Sequence, residues 1–304
     1  MRYSTISFPA LGIEINPGYQ VDIGPLGFRY YGLIIALGLI LAVLYAMRRS
    51  KQFGLTQDHI LDGVLIIVPI SIICARAYYV AFEWEQYAAN PIEMLYIWQG
   101  GMAIYGGVIG AFLSIIIYCK IRKISIGAVL DVTSLGFLIG QSIGRWGNFF
   151  NREAFGEQTE FFLRMGLENT VTGKVVYYHP TFLYESVWNA LGFVLLHFLS
   201  KRRRYDGQIV LGYLAWYGLG RTFIEGLRTD SLYIGPFRVS QLLAAASCVA
   251  AAVVLLVQSF RDHDKEKLFV NRVAAAAADA AIPAEESEQT AEAEETAESE
   301  QTAE

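Results

Sequence analysis

Cysteine is scarce in this chain of 304 residues, and the few cysteines present lie in apolar surroundings. Cys74, Cys119 and Cys248 are scattered over apolar segments, so we expect no disulfide framework, no metal cluster and no cofactor. The beginning of the chain lacks a basic stretch followed by a small-residue cleavage site, which argues against a cleaved signal peptide.

Protease motifs and internal repeats are also missing from the sequence. It contains no His-Glu-x-x-His and no Gly-x-Ser-x-Gly pattern, which argues against an intramembrane protease. A transporter is often built from repeated or broken membrane spans, and no repeat is visible here.

Long apolar runs, by contrast, fill most of the chain. Hydrophobic residues make up 54% of it, and the mean hydropathy of +0.36 exceeds that of ordinary soluble proteins. A bilayer is crossed by about 20 apolar residues, and seven segments approach that length. They are Tyr30–Met47, His59–Val80, Gly101–Cys119, Ile126–Ile143, Pro180–Ser200, Gln208–Ile224 and Val239–Phe260. The sequence therefore predicts an all-α, polytopic membrane helix bundle with about seven transmembrane helices, the second and sixth being the weakest by hydropathy.

Basic residues indicate how this bundle is oriented. Clusters of Lys and Arg follow the first, third, fifth and seventh segments, all on one side if seven spans exist. The loop of residues 82–99 on the other side holds three glutamates and no basic residue. Because basic loops stay in the cytoplasm, we expect the N-terminus outside and the C-terminus inside.

The C-terminal part of the chain has a different composition. Residues 273–304 contain one Asp, nine Glu and no Lys or Arg, whereas residues 1–272 carry a net charge of +5. With almost no large apolar side chains, such a segment cannot build a core. We therefore expect a transmembrane catalytic domain over residues 1–272 and an acidic cytoplasmic tail over residues 273–304, disordered or partly helical.

The most informative feature is a polar run that follows the fourth apolar segment. Residues Gly144 to Gly156 read GRWGNFFNREAFG and include two Arg, two Asn and one Glu. Polar groups at a bilayer rim are costly and usually functional. Arginine forks suit phosphate, and glycines allow close backbone approach. This run predicts a site for a charged ligand, and two arginines near the outer face suit a phospholipid head group.

Polar residues of other segments are expected at a similar depth below the outer surface. They are Arg76, Tyr105, Glu185, Tyr217, Arg221 and Glu225. Tyr217, Arg221 and Glu225 recur every four residues and so lie on one helical stripe. Asp62 and Asp131 fall near the inner ends, where we expect them to reach interfacial water.

Several of these residues also have purely structural interpretations. Arg221 and Glu225 can form an intrahelical ion pair, and Arg76 can be held by a carboxylate partner. The glycines of one stretch are typical of a surface on which helices pack, namely Gly100, Gly101, Gly106, Gly107 and Gly110.

The motifs resemble those of one family. The run from Gly144 to Gly156 closely resembles the signature of bacterial prolipoprotein diacylglyceryl transferases. Four further blocks resemble the same family, and the similarity runs in order from about Gly24 to Phe260. These blocks are Gly24–Gly32, Gly100–Gly110, His179–Glu185 and Tyr217–Glu225. Such enzymes transfer the diacylglyceryl group of phosphatidylglycerol to the lipobox cysteine of a lipoprotein precursor, forming a thioether and releasing glycerol-1-phosphate.

The resemblance implies roles for individual residues. Arg145 matches the signature arginine that contacts the lipid phosphate, and Arg221 matches the second essential arginine. The remaining matched positions are those that the family requires, and they are Tyr31, Asn148, Glu153, Gly156 and Glu225. The nucleophile belongs to the substrate, so the cysteines of this chain need not react.

One position departs from the family pattern. Many members carry a histidine, proposed as the catalytic base, where this chain has Tyr105. A phenol with a pKa near ~10 is a poor base at neutral pH. Either Tyr105 positions the substrate, or Glu153 or a lipid phosphate oxygen takes the thiol proton.

The resemblance thus implies a transferase of the bacterial plasma membrane. Its implied partners are phosphatidylglycerol, the lipobox signal peptide of prolipoproteins and membrane lipids, with no nucleic acid. A phospholipid-binding transporter or flippase is the alternative, because it would also line a path with Arg, Glu and Tyr.

Overall fold

A computed structural model describes residues 3–23, 26–229 and 233–279 of the protein. It contains eight α-helices in these residues: α1 Tyr30–Arg49, α2 Gln57–Phe82, α3 Trp84–Tyr87, α4 Ile104–Arg122, α5 Ile126–Asn151, α6 Thr181–Ser200, α7 Gln208–Glu225 and α8 Val239–Ser259. Residues 269–279 are also helical. Two predictions lie partly outside the described residues, namely the block that includes Gly24 and Pro25 and the tail from residue 280 onward.

Six helices are long and apolar enough to cross a membrane, namely all the long ones except α7. Their large apolar side chains are widely exposed, as expected for surfaces that face lipid, and Leu65 of α2 is 72% exposed. The seventh predicted span exists as the helix α7, which has 18 residues. Its three glycines, Arg221 and Glu225 lower its hydropathy, so six of the seven predicted spans meet the length and composition of a membrane span, and α7 does not.

Small residues let the membrane helices pack closely. At Gly106 and Gly110 of α4, an added Cβ would lie 2.4 Å from Cβ of Tyr78 and 2.5 Å from Cβ of Cys74 in α2. Gly38 of α1 also faces Gly140 of α5. A Cβ added at Gly38 would lie 3.4 Å from the carbonyl oxygen of Gly140. Helix contact through small residues is typical of membrane bundles. The prediction that the glycines of α4 form a packing surface is confirmed.

The prediction of a helical membrane bundle is confirmed in its coarse form, but it missed the strands, because the described residues also include eight short ones. They are β1 Tyr3–Phe8, β2 Ile13–Ile15, β3 Gln20–Ile23, β4 Leu26–Arg29, β5 Met165–Asn169, β6 Val175–Tyr178, β7 Tyr233–Ile234 and β8 Phe237–Arg238. Four of them form an antiparallel sheet in the order β2-β1-β5-β6. The other four form the hairpins β3-β4 and β7-β8.

The sheet is stabilised because it covers a cluster of apolar side chains at one end of the bundle. Ile6 and Leu167 are fully buried and cluster with Phe149 and Phe182 from the ends of α5 and α6. Glu168 on β5 accepts hydrogen bonds from Ser4 and Thr5, which hold the pKa of its carboxyl below the usual range. These hydrogen bonds therefore stabilise the contact between β1 and β5 fully at pH values above the unfolded-state pKa of the Glu168 carboxyl. The stabilisation is lost as the pH falls through the lowered pKa of the folded state.

The two ends of the bundle differ in character. We call the end that carries the sheet the sheet end, and the opposite end the basic end, because the Lys and Arg clusters after α1, α4, α6 and α8 lie there. Contacts between those connections support this arrangement. Arg203 donates to the carbonyl of Gln52 at 2.8 Å, and the backbone N–H of Phe269 donates to Asp206 at 2.9 Å.

Helix α5 extends beyond the predicted span that ended at Ile143. It continues through the polar run to Asn151, and Arg152 closes it in the left-handed conformation with φ of 52°. Packing against α1 explains the extension, because Gly147 lies under the ring of Tyr31. A Cβ added at Gly147 would stand only 2.7 Å from Cδ2 of that ring. Most of the polar run is therefore helical rather than loop.

Asp131 of α5 does not reach water as the sequence suggested. It is fully buried and accepts backbone N–H bonds from Gly207, Ile209 and Val210 at 2.9 to 3.0 Å. These N–H groups belong to the N-cap residue and the first turn of α7, where the helix has no partners for them. Asp131 therefore caps α7 from the neighbouring helix.

We expect Asp131→Ala to lower the free energy of unfolding by about 3 kcal/mol, because it leaves buried N–H groups without an acceptor. Asp131→Asn should cost less, since one acceptor oxygen remains. Thermal unfolding in detergent measures both. The matched control is Asp62→Asn at the exposed pair with Arg122, which should change stability by less than about 1 kcal/mol. Equal effects at the two aspartates would contradict the capping role.

Candidate functional site

Glu185 of α6 lies at the centre of a cluster of ion pairs at the sheet end. Its Oε2 is 2.5 Å from Nη2 of Arg145 on α5, and its Oε1 is 2.7 Å from Nη1 of Arg221 on α7. Nη1 of Arg228 lies 3.7 Å from the same Oε1. One carboxylate thus connects two neighbouring helices to its own and reaches the segment that follows α7.

Glu225 extends this cluster from the end of α7. Its Oε2 is 2.5 Å from Nη2 of Arg221 and 4.0 Å from Nε of Arg228. Arg238, at the start of α8, donates to the backbone carbonyl of Glu225. The intrahelical pair between Arg221 and Glu225 is therefore confirmed, but Arg221 also bridges to Glu185. The pair is part of a site rather than an isolated stabilising contact.

The arginines form the accessible side of the cluster. The side chains of Arg145, Arg221 and Arg228 are 21%, 17% and 12% exposed, whereas those of Glu185 and Glu225 are 4% and 2% exposed. The carboxylates thus lie behind the guanidinium groups and hold them in place. Buried charges need such partners, because desolvation is costly. An approaching ligand meets positive charge with fixed fork geometry, which suits a phosphate.

Asn148 links the arginine cluster to Glu153. Its Oδ1 lies 3.4 Å from Nη1 of Arg145, and its Nδ2 donates to Oε1 of Glu153 at 3.0 Å. Asn151 donates to the same oxygen at 3.0 Å. Within the described part of the chain, no hydrogen bond reaches Oε2 of Glu153. That oxygen has a lone pair available for an incoming proton donor.

Tyr31 and Gly156 border this region by packing. The ring of Tyr31 lies over Gly147, one helical turn below Asn151. The backbone N–H of Gly156 donates to the carbonyl of His179 at 2.9 Å. A Cβ at Gly156 would lie 2.8 Å from Cβ of His179. Any side chain at Gly156 would push apart the entry to α6.

Tyr105 is not brought into the cluster by a hydrogen bond. It lies in the first turn of α4 and is 38% exposed. Among the described residues, no hydrogen bond or ion pair joins its hydroxyl to Arg145, Arg221 or Glu153. Tyr105 therefore stands apart from the charged groups, on a helix that packs mainly against α2.

Two other arginines have structural partners instead. Arg152 is 4% exposed and donates to the carbonyls of Ser4, Phe150 and Pro17, with its guanidinium 4.4 Å from the ring centre of Tyr19. It therefore ties the N-terminal strands to the end of α5.

Arg76 is held by backbone carbonyls rather than by the carboxylate that the sequence suggested. Its guanidinium donates to four of them at 2.7 to 2.8 Å, belonging to Glu93, Met94, Gly100 and Gly101. Its role is to hold the connection between α2 and α4.

The sequence placed Glu185 level with Arg145 and Arg221, as the structure does, but did not include it among the site residues. Its signal was a lone acidic residue in an apolar segment. Arg228 and Arg238 were missed altogether, because they lie in a connection and at a helix start, where an arginine is unremarkable. No group of three metal-ligating side chains occurs among the described residues.

Comparison with known proteins gives one consistent family. The family model described as prolipoprotein diacylglyceryl transferase matches residues 19–257. Phosphatidylglycerol–prolipoprotein diacylglyceryl transferase of Bacillus cytotoxicus is 45% identical over 244 residues, which is 78% of this chain and 90% of that protein. The proteins of the same name from Bacillus cereus strain G9842 and Bacillus anthracis strain A0248 are each 43% identical over the same shares.

We expect Glu185→Gln to lower the free energy of unfolding by about 3–5 kcal/mol, because it leaves buried guanidinium groups without their shared anion. Denaturation in detergent micelles measures this. Glu157→Gln is the matched control, because Glu157 pairs with Arg238 at 3.6 Å but is 62% exposed. Its effect should stay within about 1 kcal/mol. If both variants were equally stable, Glu185 would not hold the cluster together.

Proposed function

The chain belongs to the prolipoprotein diacylglyceryl transferase family, and we propose that the cluster around Glu185 is where it handles its lipid. The protein is a transferase that moves the diacylglyceryl group of phosphatidylglycerol to prolipoproteins, the first step of lipoprotein maturation. The similar proteins are transferases by name, and they give no support to the alternative of a lipid transporter or flippase.

The acceptor in this proposal is the thiol of the lipobox cysteine. Its sulfur attacks the glyceryl carbon that carries the phosphate ester, and the bond from that carbon to oxygen breaks. A thioether forms, and glycerol-1-phosphate leaves with the bonding electrons. The phosphate therefore changes from a diester with one negative charge to a monoester with two. Catalysis requires groups that stabilise this added charge.

Arg145 and Arg221 are the groups we assign to that task. This assignment rests on the contacts of these two arginines with the carboxylate of Glu185. Arg145 contacts one of its oxygens at 2.5 Å, and Arg221 contacts the other at 2.7 Å. They are therefore spaced for an anion with two neighbouring oxygens, as a phosphodiester has. Their exposed sides leave room for such a group, while Glu185 and Glu225 keep them oriented. Stabilisation of this kind is stronger where water is excluded.

Glu153 is our candidate for the proton acceptor. Asn148 and Asn151 fix its Oε1, which leaves Oε2 to take the thiol proton. Tyr105, Tyr31 and Gly156 shape the site in this proposal, with Tyr105 positioning the substrate. Asn148 contributes to lipid binding by holding both Arg145 and Glu153.

The proposed setting is the bacterial plasma membrane, with seven spans that include α7. The N-terminus and the sheet end lie outside, and the basic end lies in the cytoplasm. The positive clusters at the basic end support this orientation. A lipobox cysteine is then presented near the outer face, still attached to its signal peptide, whose apolar helix docks between spans.

We expect Arg145→Lys to lower kcat by about 10²-fold, because lysine keeps the charge but loses the two-pronged donor geometry. The assay mixes purified protein with phosphatidylglycerol and a lipobox peptide, and mass spectrometry detects the thioether. A peptide with Ala in place of its cysteine is the substrate control. Arg164→Lys, which changes an arginine of the same end outside the cluster, should keep full activity. Full activity of Arg145→Lys would exclude the clamp.

We expect Glu153→Gln to lower kcat by about 10²-fold or more while leaving KM for phosphatidylglycerol nearly unchanged, since a general base acts on the proton rather than on the lipid. Tyr105→Phe should cost less than about 10-fold. Glu160→Gln, an exposed acid of the same loop, serves as the control. The assignment would be overturned by an inactive Tyr105→Phe together with an active Glu153→Gln.

A further inference from the structure

The basic end contains a cavity that the transfer reaction does not use. It has a volume of about 440 Å³ and is lined in part by four basic side chains. These are Lys201, Arg202, Arg203 and Lys265. No acidic side chain belongs to the described lining of this cavity, so it presents a concentrated positive charge.

Three of the four basic groups have no acidic partner in the part of the chain that the structure describes. Arg203 is 6% exposed, donates to the carbonyl of Gln52, and has Asp206 within 3.7 Å. Lys201, Arg202 and Lys265, in contrast, are exposed and make no ion pair with any described residue. Because like charges repel at this spacing, a bound anion would stabilise them.

The wall of the cavity also anchors the C-terminal segment. Leu268 and Phe269 are 7% and 9% exposed, and the N–H of Phe269 donates to Asp206. Val270 approaches Gly54 so closely that a Cβ there would lie 2.8 Å from its Cα. These contacts fix the point from which the rest of the chain leaves, at the edge of the cavity.

The chain beyond this anchor carries the opposite charge. Residues 280–304 contain nine glutamates and no basic residue. A stretch of this length reaches up to about 85 Å when extended, whereas the helical residues 269–279 carry its start only about 16 Å away. Attachment to the same molecule also gives it an effective concentration in the millimolar range.

We propose that residues 280–304 bind back across this cavity, with glutamate carboxylates paired to Lys201, Arg202 and Lys265. The tail then acts as an internal polyanion that occupies a site on the basic end. The attraction is electrostatic and distributed over several exposed pairs, so it weakens as salt is added. Anionic lipid head groups are the competing ligand for the same side chains.

Zero-length carbodiimide crosslinking of the full-length protein in neutral detergent at low salt tests this. We expect amide crosslinks between Lys201 and glutamates of residues 280–304, identified by mass spectrometry and lost at about 1 M salt. Lys123, at the same end but outside the cavity, and Lys174, at the sheet end, are the controls. Crosslinks of equal frequency at Lys123 and Lys201, or none at Lys201, would overturn the proposal.

A second measurement follows the reactivity of Lys201 toward an acylating reagent. In a full-length variant with the nine glutamates of residues 280–304 replaced by Gln, acylation should rise about 2-fold or more, because a tail that occupies the site at least half of the time shields Lys201 for that fraction. An unchanged rate would contradict tail binding.

If the tail protects Lys201 in neutral nanodiscs but not in nanodiscs containing phosphatidylserine, the site is tail-bound until anionic lipid displaces it. If Lys201 is protected from acylation only in nanodiscs that contain phosphatidylserine, the ligand of the cavity is the lipid and the proposal is overturned.

Discussion

The contact between Glu185 and the arginines on either side of it determines how the sheet end is organised. Burying a carboxylate is costly unless cations accompany it, and Arg145 and Arg221 come from the two helices that flank α6. Satisfying one buried charge therefore fixes the relative placement of α5, α6 and α7. The same requirement leaves two guanidinium groups side by side and facing outward. Stability of the bundle and readiness to bind an anion thus come from one set of interactions.

The sequence predicted the membrane helices well, because twenty apolar residues in succession have few alternatives to a membrane span. It was less informative where polar and apolar residues mix. Hydropathy alone could not decide whether α7 crosses the membrane, and it ended α5 eight residues too early. Packing of Gly147 against Tyr31 keeps α5 helical there, and such a contact between distant segments leaves no local pattern.

The site was predictable in part for a similar reason. Arg145, Arg221 and Glu225 stand out as charges within apolar surroundings, and the structure brings them together. Arg152 belongs to the same polar run, yet its donors go to β1, to the connection after β2 and to its own helix end. Which of two neighbouring arginines joins the Glu185 cluster depends on strands whose pairing involves residues far away in the chain. Composition and spacing carry no information about that.

The pairing of β1 with β5 has a consequence for the order of events during biosynthesis. Ser4 and Glu168 are 164 positions apart, and four long helices are made before β5 exists. β1 therefore lacks its partner strand β5 until α1 to α5 have been made. Contacts over such a separation form late, because closing a long loop costs entropy. The four-stranded sheet is therefore completed only after the first four long helices have been made, so the apolar cluster around Ile6 and Leu167 stays uncovered until then.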